Sequence, residues 1–205
     1  MTFESWALFT ATEAAMSLSP GPAVMMVVAY GIARGWRKSL FVSLGILSGN
    51  AIFFALSATG LGGALLASPM IFMGIKYLGA AYLVYLGLSA IFGRPSPITL
   101  SRVDGQPEAG KKIFSRALML QLTNPKSMLT FVAILPQFIN PSQPIGLQML
   151  ILAACSIIPE FFILLGYGML ASKASHLATQ EKYALITERI AGVLVLTAGV
   201  LVAVV

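Results

Sequence analysis

Charge is scarce in this chain: 205 residues carry 13 Lys and Arg, 7 Asp and Glu, and one His. Charged residues are 10% of the total, where soluble domains carry about 25%. Hydrophobic residues reach 58% with glycine left out, against about 45–50% with glycine included in a typical soluble domain. A soluble globule of this size cannot hide that much apolar surface, and a disordered chain requires the opposite composition. Cys155 is the sole cysteine, which excludes an intrachain disulfide, a thiol–disulfide relay and a cysteine-based metal site. His176 is the sole histidine and lies in a polar, charged segment. It reads as a solvated loop residue, so neither a zinc protease nor a Ser-His-Asp hydrolase is supported. No basic residue precedes Arg34, and a secretory signal needs a positive n-region. The first apolar segment is therefore expected to stay in the mature protein. No G-x-x-x-x-G-K-[ST] phosphate loop occurs, which speaks against a primary ATP-driven pump.

What is present is a series of long apolar runs. A helix needs about 20 residues to cross the hydrocarbon. Six stretches qualify or nearly do: Trp6–Tyr30, Leu40–Leu66, Met70–Phe92, Ala117–Phe138, Ile145–Ala171 and the shorter Ile190–Val205. The expected fold is an all-α integral membrane protein of six transmembrane helices in one membrane domain spanning 1–205. The connections between stretches one and two, three and four, and five and six hold 11 of the 13 basic residues. The other connections and both tails hold none. The positive-inside rule then places the basic connections in the cytoplasm and both termini outside. The net charge of +6 is explained by insertion and anionic lipid rather than by nucleic acid.

Stretches one and four share a helix-breaking cluster: Leu18-Ser19-Pro20-Gly21-Pro22 and Leu122-Thr123-Asn124-Pro125-Lys126, about 104 residues apart. Each cluster opens a group of three stretches. Three is odd, so the second group enters the membrane in the opposite direction. This predicts two inverted three-helix repeats, about 6–92 and 117–205, joined by a cytoplasmic linker at about 93–116, with helices 1 and 4 broken at proline. Interrupted helices at corresponding places mark substrate sites in secondary transporters. A proline lacks an N–H and clashes with the carbonyl four residues back. Pro20, Pro22 and Pro125 would thus free the carbonyls of Met16, Leu18 and Gln121. Freed backbone is tolerated in a membrane only when it is covered by protein or lines a wet cavity. Half-helix ends can hold a carboxylate at an N-terminus and an ammonium group at freed carbonyls. An amino acid carries both groups. The candidate substrate-binding residues are Ser19, Pro20, Gly21, Pro22, Asn50, Asn124, Pro125 and Lys126.

Glu13, Glu160 and Lys126 fall inside apolar stretches. A charge at a helix centre costs about 2.5–3.5 kcal/mol on insertion scales, so such residues face the bundle interior and have partners. Glu13 and Glu160 are read as proton-coupling carboxylates or ligands for a substrate amine; the alternative is a structural pair with Lys126. Lys76 lies near a membrane edge, where it can snorkel. Gly45 and Gly49 are read as helix packing rather than chemistry. Asn50 either caps freed carbonyls or faces the cavity. Tyr77, Tyr82, Tyr85 and the methionines are read as packing or interface residues.

The chain resembles the LysE/RhtB family of bacterial amino-acid exporters. The resemblance rests on Ser19-Pro20-Gly21-Pro22, on Gly31 with Arg34-Gly35, and on Lys76-Tyr77-Leu78-Gly79-Ala80-Ala81-Tyr82-Leu83-Val84-Tyr85-Leu86-Gly87. It continues in Leu122-Thr123-Asn124-Pro125-Lys126, Leu135-Pro136-Gln137-Phe138 and Arg189-Ile190-Ala191-Gly192. It implies export of amino acids or their derivatives across the bacterial inner membrane by proton antiport, with no cofactor. The partners are then a small amino acid or amine, protons and the lipid bilayer. The oligomeric state, a homodimer included, stays open. Family members often carry Asn after the Ser-Pro-Gly-Pro motif; here it is Ala23. Glu13 and Glu160 map onto no family-wide motif. Two other readings remain: export of a metal cation of the cadmium type, and a non-transport membrane scaffold.

Overall fold

The computed structural model describes residues 3–19, 21–67, 108–140 and 142–173, with isolated helical positions between 70 and 92 and between 189 and 200. The elements run α1 (Phe3–Leu18), α2 (Pro22–Arg34), α3 (Trp36–Ala67), α4 (Gly110–Leu122), α5 (Pro125–Ala133), a 3-10 turn (Leu135–Phe138) and α6 (Ile145–Lys173). Among the described residues every regular element is helical. The stretches expected at 70–92 and 190–205 fall mostly outside the described residues, as do Lys76, Tyr82 and His176.

Among the described residues two helices are long and apolar enough to cross a membrane, Trp36–Ala58 within α3 and Ile145–Lys173. A third span arises if α1 and α2 count as one, since they meet at a 52° bend. The medium these helices face can be read from α6. Leu147, Leu150, Ile158, Phe162 and Leu170 are all exposed on it. A helix apolar all round, with large hydrophobic side chains outside, fits lipid and not water.

Several glycines lie at close helix contacts. On α3, a Cβ at Gly45 would fall 2.8 Å from the Cβ of Ala117, and one at Gly49 would fall 2.8 Å from Cγ of Gln121. The Gly45/Gly49 pair therefore seats α4 directly on α3, which is the packing role expected of it. Between α2 and α6, a Cβ at Gly31 would lie 2.9 Å from the carbonyl oxygen of Gly168. Gly35 ends α2 at φ 79°, a left-handed conformation that glycine adopts without strain.

The buried apolar side chains form two clusters. One gathers Phe9, Phe54, Phe131, Ile134, Phe138 and Leu152. The other gathers Val27, Val42, Ile46, Ile113, Ala117 and Leu164. The first contains two edge-on ring pairs, Phe9 with Phe138 and Phe54 with Phe131. The Leu135-Pro136-Gln137-Phe138 motif forms the 3-10 turn and packs here with Leu135, Pro136 and Phe138 buried.

The stretch expected to begin at Ala117 begins as a helix at Gly110. Its first turns are amphipathic: Lys111 and Lys112 are exposed while Ile113 is buried. A search for continuous apolar residues passes over such turns, because one buried position per turn is enough to hold them. The start of α4 is also tied down by charge. Glu108 accepts from Tyr30 Oη at 2.8 Å and pairs with Arg116 at 3.2 Å, and its carbonyl accepts from Lys38 Nζ at 3.1 Å.

Candidate functional site

Both helix breaks fall where the sequence places them. α1 ends at Leu18 and α2 begins at Pro22; α4 ends at Leu122 and α5 begins at Pro125. Proline suits the first position of a helix, where its missing N–H has no bond to lose. Pro20 lies outside the described residues. The three carbonyls expected to be freed all have partners. Met16 O accepts from the backbone N–H of Ser19 at 3.2 Å and lies 3.5 Å from Lys126 Nζ. Leu18 O accepts from the Tyr167 hydroxyl at 2.9 Å. Gln121 O accepts from the backbone N–H of Asn124 at 3.2 Å. Protein groups thus cover the opened backbone, as a membrane interior demands.

The two breaks border one cavity. Its wall includes Glu13, Ser17, Ser19, Gly21, Ala23 and Val24 from the first break and Gln121, Asn124, Lys126, Ser127 and Thr130 from the second. Asn50 from α3 and Glu160 from α6 complete it. The cavity offers about 70 Å³ to the centre of a water-sized sphere. A single water needs roughly 10–15 Å³ on that measure, so a few-atom ligand or several waters fit. Of the proposed wall residues, Pro22 is exposed on the first turn of α2, and its neighbours Ala23 and Val24 form the wall instead. Pro125 supplies the first residue of α5.

The polar wiring is directional. Asn50 Nδ2 donates to Glu160 Oε2 at 2.5 Å, and Gln121 Nε2 donates to Asn50 Oδ1 at 2.5 Å. All three side chains are buried. Gln121 Oε1 is buried and has no hydrogen-bond partner among the described residues. An acceptor left unmade in this way costs about 1–3 kcal/mol. On the other side, Glu13 Oε2 accepts from Ser156 Oγ at 2.8 Å. Lys126 lies close enough to act electrostatically on both carboxylates, and Glu13 on Glu160. Asn124 caps α5 by accepting from the Lys126 backbone N–H at 3.1 Å. Gly21, at the start of α2, has no side-chain cap. A Cβ there would stand 3.8 Å from Lys126 Nζ, so this ammonium lies over the bare backbone of the first break.

Glu13, Glu160, Asn50 and Lys126 are brought together as polar groups of one wall. Sequence reasoning missed Gln121, Ser156 and Tyr167. A signal existed for two of them. Ser156 precedes Glu160 by one helical turn on the same face. Gln121 continues the i, i+4, i+8 stripe of Ile113 and Ala117, the buried side of α4. Tyr167 had no local signal, because its partner is 149 residues away. Among the described residues, no three His, Cys, Asp or Glu side chains converge in a way that could hold a metal ion.

These features define a multi-pass helical membrane protein with a cavity at two helix breaks whose wall holds Glu13, Lys126 and Glu160. The profile of the LysE type translocators matches residues 14–205, and the chain belongs to this family. It is 35% identical over 173 residues to proteins of Salmonella typhimurium and Salmonella typhi, each called homoserine/homoserine lactone efflux protein. The matched region covers 84% of this chain and 83% of each relative. A Vibrio cholerae protein described as an uncharacterized membrane protein is 31% identical over the same length. No solved structure matches the chain.

Proposed function

We propose that this protein exports small amino acids or their derivatives, the homoserine class among them, across the bacterial inner membrane in exchange for protons. The observation that carries the reading is one cavity lined by Lys126, Glu13 and Glu160 where two helix breaks meet. A carboxylate suits Lys126 and the uncapped N-terminus of α2, where backbone N–H groups and the helix dipole favour negative charge. An ammonium group suits the side held by Glu13 and Glu160. With both glutamates ionised and Lys126 charged, the wall carries one net negative charge. Uptake of one proton neutralises it, so a proton and a substrate amine compete for the same carboxylates. That competition is the elementary requirement of antiport. The names of the Salmonella relatives support the substrate class. The two inverted repeats, with both termini on the periplasmic side, place the breaks opposite each other and belong to the same proposal.

The test is efflux from proteoliposomes loaded with L-homoserine, homoserine lactone and a panel of other amino acids under an imposed pH gradient. Gradient-dependent efflux of at least one of them is expected from wild type, with loss in Glu160→Gln and Glu13→Gln at equal insertion. An inserted wild-type protein that moves none of the panel would overturn the reading.

A further inference from the structure

The hydrogen-bond chain across the cavity wall has a definite polarity, and that polarity has a chemical source. An ionised carboxylate only accepts hydrogen bonds. Glu160 therefore obliges Asn50 to turn its NH2 toward Oε2, as observed. Asn50 then has only its oxygen left on the far side, and Gln121 must meet it with its own NH2, as observed. The carbonyl oxygen of Gln121 is left over. It is buried without a partner, on a residue that lines the cavity and is only 4% exposed. The close seating of α4 on α3 at Gly49 holds Gln121 within reach of Asn50.

We propose that Gln121 Oε1 is the acceptor for the substrate's ammonium group, and that Asn50 positions it according to the protonation state of Glu160. This rests on the exporter reading and deepens it. When Glu160 is ionised, the chain leaves a buried acceptor oxygen within the cavity wall, and an ammonium group that reaches it completes the chain. When a proton settles on the Glu160 oxygen that faces Asn50, that oxygen becomes a donor. Asn50 then turns its amide to accept, Gln121 follows, and an NH2 group replaces the acceptor. An ammonium group gains nothing from a second donor, so the substrate leaves. No covalent bond is made apart from the O–H of the incoming proton. The other charged groups facing Glu160 among the described residues are Glu13 from α1 and Lys126 from α5. Neither is a hydrogen-bond partner in the Asn50–Gln121 link. Gln121 is thus a binding residue, and Asn50 a positioning residue that acts through it.

The test compares the affinity of the purified full-length protein for L-homoserine with that for 4-hydroxybutyrate, the same skeleton without the amine. Loss of a hydrogen bond to a charged group should reduce the amine preference by about tenfold or more in Gln121→Leu. Asn50→Leu should do the same, and the double variant should lose no more than either single one. An unchanged preference in an inserted Gln121→Leu protein overturns the proposal, and so do multiplying losses in the double variant. Wild type supplies a readout that needs no variant. Acidification above the titration range of the ligand carboxylates should weaken L-homoserine by about tenfold or more and leave 4-hydroxybutyrate within about twofold. Equal weakening of both ligands overturns the proposal. If wild type exports L-homoserine while the amine preference ignores Gln121, the exporter reading stands and only this inference falls. If wild type neither binds nor exports it, both fall for this substrate class.

Discussion

A buried charge is useful only where something answers it, and the residues of this cavity answer one another in two groups. Lys126 lies over Gly21 and beside the Met16 carbonyl, while the glutamates are held by Ser156 and Asn50. If Lys126 takes the substrate carboxylate, its removal should depend on whether the substrate has one. L-homoserine does and its lactone does not. Lys126→Met should therefore raise KM for L-homoserine by about tenfold or more, the value of a hydrogen bond to a charged group, and change the lactone far less. Equal effects on both would place Lys126 in a structural pair instead. Tyr167 is a milder case. Its hydroxyl covers the Leu18 carbonyl at the first break. Tyr167→Phe leaves that acceptor unmade and should cost about 1–3 kcal/mol of stability, read as a lower Tm in detergent. An unaltered Tm would mean that water or another group covers Leu18. At this scale the sequence exposed the charged residues by their rarity. It marked Gln121 only as a position on the buried stripe of α4, and one amide there looks like any other until its neighbours are known.

Helices here approach as closely as their glycines permit. Gly45 leaves no room for a side chain against Ala117, nor does Gly31 against Gly168. Gly166, on α6, has nothing within 4 Å of the place a Cβ would occupy. The contrast makes a controlled comparison. Gly45→Val should destabilise by about 1–3 kcal/mol, as overpacking does, and should weaken transport because α4 carries Gln121. Gly166→Ala should be neutral or slightly stabilising, since alanine favours a helix over glycine by about 1 kcal/mol. A thermal-shift series on the two variants decides it, and equal Tm values would contradict the packing at α3 and α4. The existence and ends of α6 were legible from hydropathy almost to the residue. The start of α4 was not. Its early turns are held by Ile113 in the core and by Glu108 bridging Tyr30 and Arg116, contacts that cross from one part of the chain to another.

At the scale of the whole molecule, the basic loops make a topological prediction. Reporter fusions at Met1 and Val205 should both report the periplasmic side, and fusions after Trp36 should report the cytoplasm. A cytoplasmic C-terminus with a periplasmic N-terminus would mean that the last apolar stretch does not cross, and the inverted-repeat proposal would lose its even count of helices. The membrane character, the two helix breaks and the rare charged residues were determined by the sequence alone. They follow from composition and from the backbone chemistry of proline, which act locally and leave a mark at each position. Only the tertiary structure decided that both breaks share one cavity, that Asn50 joins Glu160 to Gln121, and which carbonyls Tyr167 and Lys126 cover. Those outcomes depend on side chains 71 to 149 residues apart meeting across close-packed helices. No periodicity within a single helix encodes which face of another it will meet.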